Sequence, residues 1–279
     1  MKNNRAQRAN IAKETLQILK QGYYHKNEKR IRLTGLDEAI QEAIWYRPEA
    51  LEDLQTPFNQ DFEKQETHFD VQNCTTFVAA QQLLEEGAPK VLALNFASAK
   101  NPGGGFLGGS QAQEEALSRA SALYPTLTKH MDMYLENRTK KTCLYSNNMI
   151  YSPAVPVFRD DNDALLEEPY ALSFVTAAAV NAGCIRKNER KRVSKIQSVM
   201  LDRMEKVLTI AASHGYEYLV LGAWGCGVFR NEPATIAELF KEQLTEHPFF
   251  KQRFKKVLFG VLDSSKKKET YNAFQKVFA

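Results

Sequence analysis

Apolar positions repeat in two different ways along this chain, and the change falls near residue 66. Before it, Ile11, Leu16, Ile18 and Leu19 have a partly helical spacing, which predicts a helix over residues 1–22. Residues 23–60 are charged and mixed, with a helix expected around 36–45 and Pro48 and Pro57 as breakers. Residues 1–65 therefore read either as an N-terminal helical extension packed on the core or, equally, as a loop-rich segment lying on it.

From Glu66 on, short apolar runs alternate with helical patterns. A strand is expected at 68–71, then a helix that starts at 73–76, continues through 77–84 and ends at Gly87, Ala88 and Pro89. Residues 91–96 form a continuous apolar strand of the buried kind. Leu117, Ala120, Ser121, Leu123 and Tyr124 predict a helix that stops before Pro125, and a second helix follows around 127–137. Residues 149–152 and 155–158 read as one strand with a proline break, suited to a sheet edge. A buried strand at 171–179 precedes the clearest helix, 192–213, whose Ile196, Val199, Met200, Met204, Val207, Leu208 and Ala211 mark one face. The chain closes with strands at 218–221 and 256–261 and helices at 233–244 and 269–278. Alternation of this kind predicts an α/β fold over 66–279, a sheet flanked by helices.

One stretch interrupts the pattern. Residues 95–124 read NFASAKNPGGGFLGGSQAQEEALSRASALY, with Gly103, Gly104, Gly105, Gly108 and Gly109 packed into seven positions. Such a run lets backbone take positive φ and approach a ligand without Cβ atoms in the way. Gln113, Glu114 and Glu115 follow at the expected helix start, and Ser110 stands three positions before Gln113 in a capping-box pattern. Alone, these glutamates would be read as complements of the helix dipole. Beside a glycine cradle they become candidates for chemistry, and their projection about 100° apart on a helix gives them different tasks.

The string G-x-G-x-x-G is satisfied by 103–108, but Ala97 to Pro102 separate it from the strand and no suitable acidic residue follows, which counts against a dinucleotide-binding Rossmann unit. A second loop, GAWGCGVFRN at 222–231, also follows an apolar strand and precedes a helix. Two such loops at strand C-termini converge on one crevice in an open sheet, a geometry suited to a diphosphate.

The composition, 43% hydrophobic and 25% charged over 279 residues, fits a globular domain with a sizeable core. A net charge of +4 is compatible with a polyanionic ligand without arguing for one. Cys74, Cys143, Cys184 and Cys226 are widely separated, so reduced thiols in a cytoplasmic protein and no zinc site are expected. The five histidines, His25, His68, His130, His214 and His247, are scattered and form no ligand set. The start of the chain has no apolar signal core and no run is long enough to span a bilayer, so no membrane association is expected.

Three motifs in order carry a family resemblance. The triplet Gly103, Gly104, Gly105, seven intervening residues, then Gln113, Glu114, Glu115 is similar to the signature of poly(ADP-ribose) glycohydrolases. NFASAKNPGGG, LSRASALYP and GAWGCGVFRN resemble the bacterial-type, microbial branch, over about 66–279. The resemblance implies a macrodomain-like mixed sheet sandwiched between helices that binds ADP-ribose. It implies Glu115 as catalytic acid and Glu114 as the group positioning the ribose. Gly103, Gly104 and Gly105 with Gly225, Cys226, Gly227 and Val228 would line the diphosphate. Gln113 would complete the substrate site, Asn101 would lie near the distal ribose, and Phe229 would pack on the terminal ribose.

The implied reaction splits a ribose–ribose O-glycosidic bond through an oxocarbenium-like state, with Glu115 giving its proton to the leaving oxygen once burial keeps it protonated. The implied substrate is poly(ADP-ribose) or ADP-ribosylated protein and the product ADP-ribose. A monomer needing no metal or cofactor is expected. Two alternatives are a mono-ADP-ribosyl hydrolase acting on protein or DNA, with basic patches at 186–192 and 251–256 holding nucleic acid, and a non-catalytic ADP-ribose reader. The glutamate pair argues against the reader.

Overall fold

The computed structural model describes residues 3–55 and 64–279. Helix α1 (Arg5–Gln21) is closed at its start by a capping box, with the Asn4 side chain accepting from the Gln7 amide, and at its end by Gly22 at φ 73. A hairpin follows, β1 (Tyr23–Lys26) and β2 (Lys29–Arg32), turning through Asn27 and Glu28 at positive φ. No strand was expected here, because charged residues dominate the second arm and the turn has no glycine. The helix expected over 36–45 ends early: α2 (Leu36–Gln41) gives way to β3 (Ile44–Tyr46), which pairs antiparallel with Tyr151, Ile150 and Met149. Pro48 starts α3 (Pro48–Gln55) instead of breaking a helix, since a first helical position needs no amide donor. Pro57 lies outside the described residues.

The remaining elements keep the expected strand–helix order apart from α8, which was not anticipated: β4 (His68–Gln72), α4 (Thr76–Glu85), β5 (Leu92–Phe96), α5 (Gln113–Ala120), α6 (Leu123–Thr128) and α7 (Met131–Thr139). They continue with β6 (Met149–Arg159), β7 (Leu165–Ala177), α8 (Ala182–Asn188), α9 (Ile196–Ser213), β8 (Tyr218–Leu221), α10 (Pro233–Lys241), β9 (Lys256–Gly260) and α11 (Glu269–Phe278). Pro125 does not stop a helix. α5 ends at Ala120, Ser121 is extended and bridges Val157, and Pro125 sits in the first turn of α6, where its missing N–H costs nothing.

Among the described residues, seven strands form one mixed sheet in the order β3-β6-β7-β5-β8-β9-β4. The run from β7 to β4 is parallel, and β6 is antiparallel to both its neighbours. The proline-containing strand β6 is therefore internal, not an edge. Pro153 and Pro156 are tolerated because β3 covers only 149–151 and a bulge separates Ser152 from Val155. Each sheet face has its own apolar core. One gathers Met200, Met204, Leu208, Trp224, Phe240 and Phe259 beneath α9, α10 and α11. The other gathers Phe77, Leu83, Leu117, Leu123, Phe158 and Phe174 beneath α4, α5 and α6. Alternation along β5 sends Leu92 and Leu94 to the first face and Ala93 to the second.

The expectation of four reduced thiols fails for one pair. Cys143 and Cys184 are disulfide-bonded, 41 residues apart in sequence, while Cys74 and Cys226 are free. The fold brings the pair together because the loop before β6 lies against α8, where the Asn181 amide donates to the Cys143 carbonyl at 3.0 Å. Sequence spacing carries no sign of that approach. Thiol titration of the denatured, unreduced protein is expected to find two thiols of the four, and all four after reduction. Reduction should lower stability by about 2–4 kcal/mol, read from denaturant unfolding with and without reductant.

Candidate active site

Strand β5 ends at Phe96, and from there the backbone is held by side chains of the helix it later forms. The Gln113 side-chain oxygen accepts from the Phe96 amide at 2.8 Å, and its nitrogen donates to the Leu94 carbonyl at 2.7 Å and Thr76 Oγ1 at 3.0 Å. Gln113 thus pins the start of α5 to the end of β5. The helix does not begin at Ser110 as the capping-box pattern suggested. Its N-cap is Ala112, whose methyl accepts nothing, and the Gln113 amide that a box would turn back is spent on β5.

Glu114 and Glu115 then diverge. Glu114 is 3% exposed and faces the sheet. Its Oε2 accepts from the Ser98 amide at 2.6 Å and its Oε1 faces Asn95 Nδ2 at 3.4 Å. Asn95 is fully buried and also donates to Thr176 Oγ1 on β7 at 3.1 Å. Burial pushes the Glu114 carboxyl up to about 8, and the charge of Glu115 adds to this; the Ser98 amide and Asn95 pull the other way without overcoming it. Glu114 is accordingly neutral near pH 7. Buried polar atoms surround it: Asn95 Oδ1, Ser118 Oγ and the Tyr134 hydroxyl meet no hydrogen-bond partner among the described residues.

Glu115 is only partly buried, and its Oε1 accepts from the Gly105 amide at 3.0 Å. Gly104 turns at φ +60 beneath both carboxylates. A Cβ there would lie 2.5 Å from Glu115 Oε1 and 3.2 Å from Glu114 Oε2, so any side chain would push the Glu115 carboxylate aside, and the positive φ itself favours glycine. The burial expected of Glu115 falls on Glu114 instead, because α5 turns the first glutamate toward the sheet and the second toward the glycine turn. Asn101 is exposed at the rim, where its Oδ1 accepts from Arg138 at 3.3 Å.

The second glycine loop leaves β8, which pairs in parallel with β5 through Leu219 and Val220, so the loops emerge side by side at the same sheet end. Trp224 is fully buried and donates its indole N–H to the Ala177 carbonyl at 3.1 Å. Asn231 closes the loop, donating to the carbonyls of Val180 at 2.8 Å and Gly225 at 3.1 Å. Between these anchors Gly227 and Val228 are exposed, Val228 to 82%. Phe229 is partly buried; its ring stands 6.0 Å from that of Tyr145 and its carbonyl accepts from the Gly183 amide at 2.9 Å. Burial and Glu232 push the Cys226 thiol up to about 12, which leaves it no nucleophile.

A cavity of ≈ 310 Å³ lies behind this loop, lined by Arg186, Ile196, Met200, Asn231, Thr235 and Ile236 among others. Neither glutamate nor any glycine of the two loops lines it, so it is separate from the carboxylates. Asn95, Ser98, Thr176 and Arg119 join the site without having been anticipated. Asn95 alone left a trace in the sequence, as a polar residue inside an apolar strand.

The arrangement joins a neutral buried carboxyl, a second carboxylate on a backbone amide, and two exposed glycine-rich loops. A family model described as "Microbial-type PARG, catalytic domain" matches residues 12–160. Among solved structures, poly(ADP-ribose) glycohydrolase from Thermomonospora curvata is 40% identical, with 98% of this chain and 100% of that chain covered and a TM-score of 0.94. The same enzyme bound to the inhibitor ADP-HPD gives 40% identity, 98% and 99% coverage and a TM-score of 0.90. The Deinococcus radiodurans enzyme in complex with ADP-ribose gives 42% identity, 88% and 98% coverage and a TM-score of 0.82. No curated protein matches the chain.

Two outcomes test the geometry. A carboxyl near 4.5 when unfolded and about 8 when folded binds its proton more tightly in the native state. Its contribution to stability is present below the unfolded value and is lost as pH rises from about 4.5 to about 8. Denaturant unfolding at about pH 5 and about pH 8 should therefore show Glu114→Gln gaining on the wild type as pH rises, since the variant lacks this slope. Gly104→Ala should displace the Glu115 carboxylate and lower kcat by about 100-fold, on the usual cost of a misplacement of about 1 Å, as measured by steady-state kinetics.

Proposed function

Because the chain belongs to the microbial-type poly(ADP-ribose) glycohydrolase family, we propose that Glu115 is its general acid and Glu114 the group that holds the ribose beside the breaking bond. The activity is that of a glycosidase: hydrolysis of poly(ADP-ribose) at ribose–ribose O-glycosidic bonds, with release of ADP-ribose. The observation that carries the acid assignment is the Gly105 amide held against Glu115 Oε1 at 3.0 Å, over a turn with no room for a Cβ. A partly exposed carboxyl fixed by backbone at a crevice can reach a bound sugar. Glu114, held by Ser98 and Asn95, is not free to follow the leaving oxygen.

The step runs as follows in this reading. Glu115 gives its proton to the leaving ribose oxygen as the bond to the anomeric carbon breaks, and the diphosphate's negative charge stabilises the oxocarbenium-like centre. Water then adds to that carbon and returns a proton to the Glu115 carboxylate. Neutral Glu114 donates or accepts a hydrogen bond at a ribose hydroxyl without adding a second negative charge. The loop residues Gly103–Gly105 and Gly225–Gly227, with Val228, line the diphosphate; Asn101 lies toward the distal ribose and Phe229 against the terminal one. Gln113 acts by anchoring the helix that bears both glutamates.

All of these residues belong to the proposed catalytic unit over 66–279. The extension over 1–65 is proposed as an accessory to it, although its Ile44, Trp45 and Tyr46 join the sheet. The substrate is free polymer or polymer on proteins, acted on by a monomer. Nucleic acid as carrier remains the second reading, and part of its basic patches is already engaged within the protein. Arg186 donates to the Arg230 carbonyl, Arg192 pairs with Glu189, and Lys255 and Lys256 pair with Glu217 and Glu86. No helix among the described residues is long and apolar enough to cross a membrane. A cytoplasmic location has the Cys143–Cys184 bond against it, since reducing compartments keep thiols free.

Glu115→Gln is expected to lower polymer hydrolysis by about 10²–10⁴-fold, the usual worth of a positioned acid, while ADP-ribose affinity by calorimetry stays within a few-fold. Full turnover in that variant would remove Glu115 from the role.

A further inference from the structure

Glu115 stands on a helix whose start has no capping side chain; Gln113 pins that start to β5, and a second tie runs to the loop before it. One turn on, Arg119 is 2% exposed and makes that connection. Its Nη1 donates to the carbonyl of Glu115 itself at 3.2 Å and to that of Ser110 at 3.1 Å, and its Nη2 donates to Gln111 Oε1. One guanidinium therefore ties the first turn of α5 to the loop leading into it. Its Nε faces Asp163 Oδ1 at 3.2 Å, and Asp163, at φ 63 between β6 and β7, accepts from Asn3 through its other oxygen at 2.9 Å.

Helix α1 grips the same loop from outside. Arg5 Nε donates to the Gly108 carbonyl at 2.9 Å and Arg8 Nε to the Gly109 carbonyl at 2.8 Å. The approach is closer than any side chain permits: a Cβ on Gly109 would lie 2.0 Å from the Arg5 carbonyl oxygen. Further along α1, Thr15 Oγ1 donates to the Arg119 carbonyl at 2.6 Å and Glu14 pairs with buried Arg159 at 2.8 Å. The gripped segment is itself stiff, since the amides of Gly108 and Ser110 both donate to the Gly105 carbonyl, at 3.0 and 3.2 Å. Gly105 is the residue whose own amide holds Glu115 Oε1.

We propose that Arg5, Arg8 and Arg119 are positioning residues for hydrolysis, acting through the 105–111 loop to place the Gly105 amide and with it the Glu115 carboxylate. This rests on the reading of Glu115 as the acid. It makes α1 a working part of the site: two arginines from α1 and one from α5 clamp the same loop. Lysine does not replace Arg119, which uses three guanidinium nitrogens at once. The effect belongs to kcat. Of the residues that would face the diphosphate, only Gly105 belongs to the held segment, whereas a shift of about 1 Å at an acid costs about 100-fold in rate.

The experiment compares wild type, the double variant Arg5→Ala/Arg8→Ala, Arg119→Lys and Glu115→Gln on poly(ADP-ribose), with calorimetry of ADP-ribose and thermal unfolding on each. Arg5 is exposed and Arg8 partly so, which keeps the double variant folded should Arg119→Lys fail to fold. Expected is a fall in kcat of about tenfold or more in the double variant, with ADP-ribose affinity within about twofold and an assay temperature well below unfolding. Wild-type kcat in the double variant, whatever its affinity, overturns the positioning role while an inactive Glu115→Gln leaves the acid in place. Full activity of Glu115→Gln overturns both.

Discussion

A carboxyl group taken out of water needs donors around it or must give up its charge, and the site is built on that constraint. Glu114 is enclosed between the end of β5 and its own helix, with the Ser98 amide at 2.6 Å and Asn95 beside it. The donors suffice to hold it and do not suffice to keep it ionised. To supply them, the chain after β5 folds back over the carboxyl before entering the glycine turn, and a buried asparagine replaces an apolar residue in the strand. Where Glu114 sits, Glu115 must project about 100° away, onto the turn that Gly104 leaves open. Two adjacent residues of one type thus acquire opposite environments from a single helical step.

The sheet supplies the second half. Parallel pairing of β5 with β8 brings two loops from distant parts of the chain to one end, and the two apolar cores hold the strands from either face. Each loop is stiffened by buried anchors while its tip stays in water: Trp224 and Asn231 in one, Gln113 and Arg119 in the other. Backbone amides can then meet an anion without first being ordered, which is how a preorganised site avoids paying entropy at binding. The disulfide between Cys143 and Cys184 ties the loop before β6 to α8, the helix whose Gly183 supports Phe229.

Much of this was legible in the residues. The strand at 218–221, the helix at 269–278 and the helix start at Pro233 fall where their patterns put them, because long periodic runs and a helix-starting proline are local signals. Residues 44–46 were not legible as a strand, since their pairing with 149–151 exists only once the chain has folded. Prolines misled three times, at Pro48, Pro125 and in β6, each by occupying a position whose amide has nothing to donate to. The glutamate pair could be found by its neighbourhood. Its division could be foreseen as a matter of angle but not of direction: burial of Glu114 rather than Glu115 depends on which side of α5 meets the sheet.

By itself the sequence determined the alternating α/β order, the two glycine loops and the acidic pair between them, because these follow from periodicity, from the φ that glycine permits and from spacing along one helix. Tertiary structure decided which carboxyl is dry and which is held at the surface, since desolvation depends on atoms brought in from β5, β7 and the 97–102 segment. It also decided that α1 lies against Gly109 and that Cys143 meets Cys184, contacts about a hundred and 41 residues apart in the chain. Chain distance of that kind leaves no local trace, as no short-range rule records which surfaces will be pressed together when the core closes.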